Sequence, residues 1–178
     1  MEYKDFEELV LNRQSCRAFS DKEVEKEKLE QIINLSMNAP SACNSQPWQI
    51  YCAHTPDKVK EVRSCLQVLG FNKFLNGAKA FIAVAEKEAK LILKLEDKVG
   101  ANRFVKYDVG EYIAYVTLSA KAIGLETCII GLMDEEKLAK TLGLAKNEKC
   151  KIVIAVGYSD CPIRAKKREP IENKVKYI

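Results

Sequence analysis

Basic residues gather at two places far apart in the chain. In NRQSCRAF, Arg13 and Arg17 stand on either side of Ser15, and in the tail Lys166, Lys167 and Arg168 follow one another. These residue types suit a phosphate: arginine offers a planar fork of donors, lysine a point charge, and serine a short hydroxyl. Either cluster alone would ordinarily be solvated surface charge. Together they could grip an anion if the fold brings the chain's ends side by side. A third stretch, APSACNSQPWQIY from Ala39 to Tyr51, sets Pro40, Ser41, Asn44 and Gln46 beside Trp48, the chain's only tryptophan. A connector so polar, next to an anchor so bulky, asks for a role beyond turning the chain.

Other chemistries find less support. Ser15, Ser41 and Cys43 are conceivable nucleophiles, but His54 is the only imidazole and no Gly-x-Ser-x-Gly elbow occurs. Gly-x-Gly-x-x-Gly and the P-loop are absent. The seven cysteines are odd in number, contain no Cys-x-x-Cys, and have one histidine for company, which argues against a zinc site. They read as small buried thiols in a reducing compartment.

Positioning these residues falls to alternating helices and strands. The 178 residues favour one domain over 1–178, with an ordinary composition of 47% hydrophobic and 30% charged residues. A net charge of +4 gives no case for nucleic acid. No apolar leader or membrane-length run is seen, so the expectation is a cytoplasmic protein. Tyr3, Phe6, Leu9 and Val10 mark one amphipathic helix; Leu29, Ile32, Ile33 and Met37 mark a second that stops at Ala39-Pro40. WQIYCAH reads as a strand. Pro56 opens a helix carrying Val59, Val62, Cys65, Leu66 and Leu69, with Gly70 at its end. AKAFIAVAEK is a buried strand, ETCII a short one and KCKIVIAVGY a central one. Asp134 caps a short helix ending at Gly143. Residues 87–107 are mixed and charged and could be helix or mobile segment. Residues 108–123 form the clearest helix. It is apolar nearly all round, so both sides should be covered, one of them by a partner subunit.

Taken in order, NRQSCRAF, APSACNSQPWQIY, KAIGLETCIIG, VIAVGYSD and KKRE resemble the FMN-dependent nitroreductase family over about residues 10–170, most specifically in Pro-Ser-x-x-Asn-x-Gln-Pro-Trp. The resemblance implies an α+β fold, a three-layer α/β/α sandwich around a mixed, mainly antiparallel sheet. It implies a homodimer with FMN sites at the interface. On that reading Arg13, Gln14, Ser15 and Arg17 form the first FMN-binding motif, and Lys166 and Arg168 hold the phosphate. Pro40, Ser41 and Asn44 reach the flavin of the other subunit, and Trp48 anchors their loop. Backbone amides of Ile130 and Gly131 meet the ring near N5 and O4, and Asn72 bonds its pyrimidine edge. Arg17 is the candidate cation for the reduced flavin. NADH or NADPH would be the donor, and nitroaromatics or quinones the small-molecule acceptors. Two further readings stay open: another flavin reaction on the same fold, such as dehydrogenation or ferredoxin-linked reduction, and a flavin-binding or interaction protein without turnover.

Overall fold

The computed structural model describes residues 2–100 and 102–178. Six α-helices and four strands follow in chain order: α1 (Tyr3–Asn12), α2 (Lys26–Ser36), β1 (Trp48–Ala53), α3 (Pro56–Leu66), β2 (Ala80–Glu86), α4 (Leu93–Val99), α5 (Val105–Ala122), β3 (Glu126–Ile130), α6 (Glu135–Leu142) and β4 (Lys149–Gly157). The sheet order is β1-β2-β4-β3, and every ladder is antiparallel. One parallel bridge, Ser15 with Thr127, adds the segment after α1 to the β3 edge. The expected α+β, mainly antiparallel architecture is therefore present.

Period-two alternation explains the layering, because successive strand residues face opposite sides of a sheet. Ala80, Ile82, Val84, Ile154 and Val156 join one core with Leu29 and Ile32 of α2 and Val109, Tyr112 and Val116 of α5. Their neighbours Phe81, Ala83, Ala85, Val153 and Ala155 join a second core with Val59, Val62 and Leu66 of α3 and Leu138 of α6. β2 and β4 are thus covered on both faces, which is why their sequences read as nearly unbroken apolar runs. Ile82 is fully buried, and Ile82→Ala should cost about 2–5 kcal/mol.

Several boundaries differ from the sequence reading. α5 begins at Val105, one turn before Asp108, and Asp108 is itself buried. α3 ends at Leu66 rather than near Gly70; Leu69 turns left-handed (φ 52°) and is exposed. Within 87–107 the chain forms the short α4. The expected cap of α6 is present: the Asp134 carboxylate accepts the Lys137 N–H at 3.0 Å, and Gly143 closes the helix at φ 67°. Among the described residues no helix is long and apolar enough to cross a membrane.

Candidate functional site

The two ends of the chain meet at the β3 edge. Arg13 follows directly on α1, and the Ser15–Thr127 bridge fixes the segment after it. The tail is then tied on by Arg164. Its backbone N–H and its Nε both donate to Gln14 Oε1, at 3.3 and 3.2 Å, and an Nη donates to the Ser15 carbonyl at 2.7 Å. Gln14 returns a bond from Nε2 to the Pro162 carbonyl at 3.2 Å. Lys166 donates to the Val10 carbonyl at 2.5 Å, near the C-terminal end of α1.

The result is an open cavity of about 360 Å³ lined by Arg13, Arg164, Lys166, Lys167 and Arg168, with no carboxylate in its wall among the described residues. Its electrostatics are uncompensated. Burial pushes the Arg13 guanidinium pKa down, against a smaller upward pull from Cys128 and Glu126. The Lys166 ammonium is lowered as well, first by burial and then by the charges of Arg168 and Arg13. Arg13 Nε is buried without a hydrogen-bond partner. A buried unpaired donor among like charges costs free energy unless something anionic completes it. A phosphate, with its several acceptor oxygens, fits this donor set.

A second group of expected residues lies alongside. The Arg17 guanidinium sits 5.9 Å from the centroid of the Phe74 ring. Two residues before Phe74, Asn72 adopts a left-handed conformation (φ 60°) and donates from Nδ2 to the carbonyls of Leu66 at 2.9 Å and Leu132 at 3.3 Å. That ties Asn72 to the residue after Gly131. Both amide hydrogens are spent, so Asn72 has only Oδ1 to offer a ligand. Ile130 is buried at the end of β3, while Gly131 is exposed just beyond it.

The loop of Pro40, Ser41 and Asn44 stands apart; among the described residues no hydrogen bond joins it to the basic cavity. It is locally strained. Cys43, Asn44 and Gln46 have φ of 52°, 51° and 45°. Left-handed residues other than glycine cost on the order of 1–3 kcal/mol each and gather at functional sites. The loop's own side chains hold the shape. Ser41 Oγ accepts the Gln46 N–H at 3.0 Å, and Asn44 Oδ1 accepts from Gln46 Nε2 at 3.1 Å. From α5, both carboxylate oxygens of Asp108 accept the Ala42 N–H at 3.3 Å. Trp48 anchors the far end, 5% exposed and 5.0 Å from the Tyr112 ring centroid.

Sequence reasoning missed Arg164 and Asp108, and had Lys167 only as part of the basic tail cluster. Arg164 carries the same basic signal as Lys166 and Arg168, but only its contacts with Gln14 and Ser15 reveal its part. Asp108 was read only as the first residue of the helix over 108–123.

The model of the nitroreductase family matches residues 10–66 and 57–158. The chain belongs to the nitroreductase family. A protein of Archaeoglobus fulgidus named "Putative NADH dehydrogenase/NAD(P)H nitroreductase" is 27% identical over 154 residues, which cover 84% of this chain and 83% of that one. Two solved structures share the fold. An FMN-dependent nitroreductase from Clostridium difficile superposes with a TM-score of 0.72 at 23% identity, covering 95% of this chain and 96% of its own. An enone reductase of gut-bacterial fatty acid saturation superposes with a TM-score of 0.81 at 18% identity, covering the whole of both chains. This nitroreductase-family chain is therefore an oxidoreductase, with its sequence motifs clustered at the β3 edge and in the loop before β1.

Proposed function

We propose that this nitroreductase-family protein binds FMN and uses NADH or NADPH to reduce a small acceptor such as a nitroaromatic or a quinone. The observation that carries the reading is the uncompensated cationic cavity around the unpartnered Arg13 Nε. Arg13, Lys166 and Arg168 would hold the FMN phosphate, with Gln14 and Ser15 shaping the segment between them and Arg164 locking the tail in place. Arg17 would present positive charge to the ring and so favour its reduced, more negative form. The Ile130 and Gly131 amides would orient the ring without offering it a base, and Asn72 Oδ1 would accept from its pyrimidine edge. FMN held by these residues would supply the hydride and electron transfer between nucleotide and acceptor.

A homodimer belongs to this reading. α1 buries none of its residues, and Phe6, Leu35 and Tyr115 are exposed along an apolar groove of about 450 Å³ between α1, α2 and α5. That supports the expectation that the outer face of α5 is covered by a second copy, because exposed apolar surface of this kind marks interfaces. In that dimer Pro40, Ser41 and Asn44 would serve the partner's flavin. The reading is tested by dialysing the protein free of flavin and following NADH or NADPH oxidation with a nitroaromatic or quinone acceptor. Turnover that returns on adding FMN supports it; turnover absent with both nucleotides and both acceptor classes refutes it.

A further inference from the structure

Two cysteines lie next to the same bridge that builds the cationic cavity. Ser15 pairs in parallel with Thr127, and the Cys16 N–H donates to the Thr127 carbonyl at 2.9 Å. Each cysteine follows directly on a bridged residue, so Cys16 and Cys128 lie on neighbouring backbone segments, and the charge of Cys16 acts on the Cys128 thiol. Adjacent strands lie about 4.8 Å apart, inside the span of roughly 4.4–6.8 Å that a disulfide bridges between Cα atoms. Both thiols are free and buried, Cys16 at 3% exposure and Cys128 at 1%. They differ in access. Cys16 lines an open cavity of about 240 Å³, together with Arg17 and Arg164. Cys128 lies in the second core. Burial pushes the Cys128 thiol pKa up, while Arg17, Arg13 and Arg164 pull it down and the Cys16 thiol raises it further, as expected of two neighbouring sulfurs among arginines.

We propose that Cys16 and Cys128 are a reversible dithiol–disulfide pair, with Cys16 as the attacking thiol and a hydroperoxide as the oxidant. The Cys16 sulfur, which lines the open cavity, attacks one peroxide oxygen as its thiolate, the nucleophilic form of a thiol. The O–O bond breaks, an S–O bond forms, and with hydrogen peroxide one water leaves, giving a sulfenic acid at Cys16. The Cys128 sulfur then attacks Cys16 Sγ; the S–O bond breaks, the S–S bond forms, and its proton leaves with the hydroxyl as a second water. Two thiols are oxidised by two electrons and one peroxide is reduced to two waters. The product is a covalent staple between the Arg13–Arg17 segment and β3. The exposed Cys161 lines the same cavity and is the competing partner.

The test treats the folded protein with one equivalent of hydrogen peroxide, alkylates the remaining thiols and maps the tryptic peptides. Cys16, Cys128 and Cys161 fall on separate fragments, 14–17, 122–137 and 152–164. The expected result is a 14–17 to 122–137 cross-link, lost on adding dithiothreitol. Alkylated Cys16 and Cys128 on separate peptides, or Cys16 joined to Cys161, overturns the proposal. In Cys128→Ser the stalled sulfenic acid at Cys16 should be trapped by dimedone; an unmodified Cys16 there overturns its assignment as the attacking thiol. The wild-type map decides the pairing even if that variant folds poorly.

Discussion

Arg13→Met should separate binding from folding at the cationic cavity. The substitution keeps an apolar stem and removes the guanidinium. That guanidinium is half-buried, its Nε has no hydrogen-bond partner among the described residues, and it shares its cavity with Arg164, Lys166, Lys167 and Arg168. If the cavity exists for a phosphate, the flavin-free protein loses little, because a desolvated cation facing like charges contributes no net stability. Its unfolding free energy in urea should change by about 0.5 kcal/mol or less, in the range of an ordinary surface change, or should rise. FMN affinity should fall by one charged hydrogen bond, about 1.5–3 kcal/mol, which is roughly ten- to a hundredfold in Kd. Titrating the flavin-free protein with FMN and following the quenching of flavin fluorescence measures the second effect, and urea unfolding of the same preparation measures the first. A variant destabilised by more than about 2 kcal/mol while its FMN affinity is unchanged would show that Arg13 is structural and would refute the phosphate assignment.

Three further outcomes follow from the same geometry. Arg17→Gln should lower the reduction potential of bound FMN more than it lowers affinity, since its charge favours the reduced form; spectroelectrochemical titration checks this, and an unchanged midpoint removes Arg17 from the role. Asp108→Ala should cost about 1–3 kcal/mol, because it strips the Ala42 N–H of its acceptor, whereas Asp108→Asn, which keeps an oxygen there, should cost less; equal losses in urea unfolding would mean the bond is unimportant. If the loop serves the partner's flavin, a Ser41/Asn44 double mutant and an Arg13/Arg168 double mutant should each be inactive, and equal amounts unfolded together and refolded should regain roughly a quarter of wild-type activity for a two-fold dimer. No recovery, with refolding and subunit exchange confirmed on controls, would place each site within one chain.

The fold was legible where one physical requirement dominated. AFIAVAE and KIVIAV could only be strands covered on both faces, and Asp134 with Gly143 framed α6 by chemistry that any helix of that length needs. Boundaries slipped where tertiary contacts overrode local pattern. α5 gains a turn before Asp108 because Val105 is buried against the first core and Asp108 is needed at the Ala42 N–H. At the site, Arg13, Lys166 and Arg168 were readable as basic types, but their convergence was not, since it depends on one bridge at Ser15 and on the bonds of Arg164. The left-handed run at Cys43, Asn44 and Gln46 was invisible in a stretch without glycine, because sequence shows glycine's freedom but not strain held by neighbours.

On the proposed reading, FMN would sit at the β3 edge and be reduced by a nicotinamide nucleotide. The protein reconstituted with FMN and freed of excess by gel filtration should be yellow, and under anaerobic conditions NADH or NADPH should bleach its visible flavin band. A protein that leaves the column without flavin, or whose bound flavin keeps its oxidised spectrum with both nucleotides, would contradict the account.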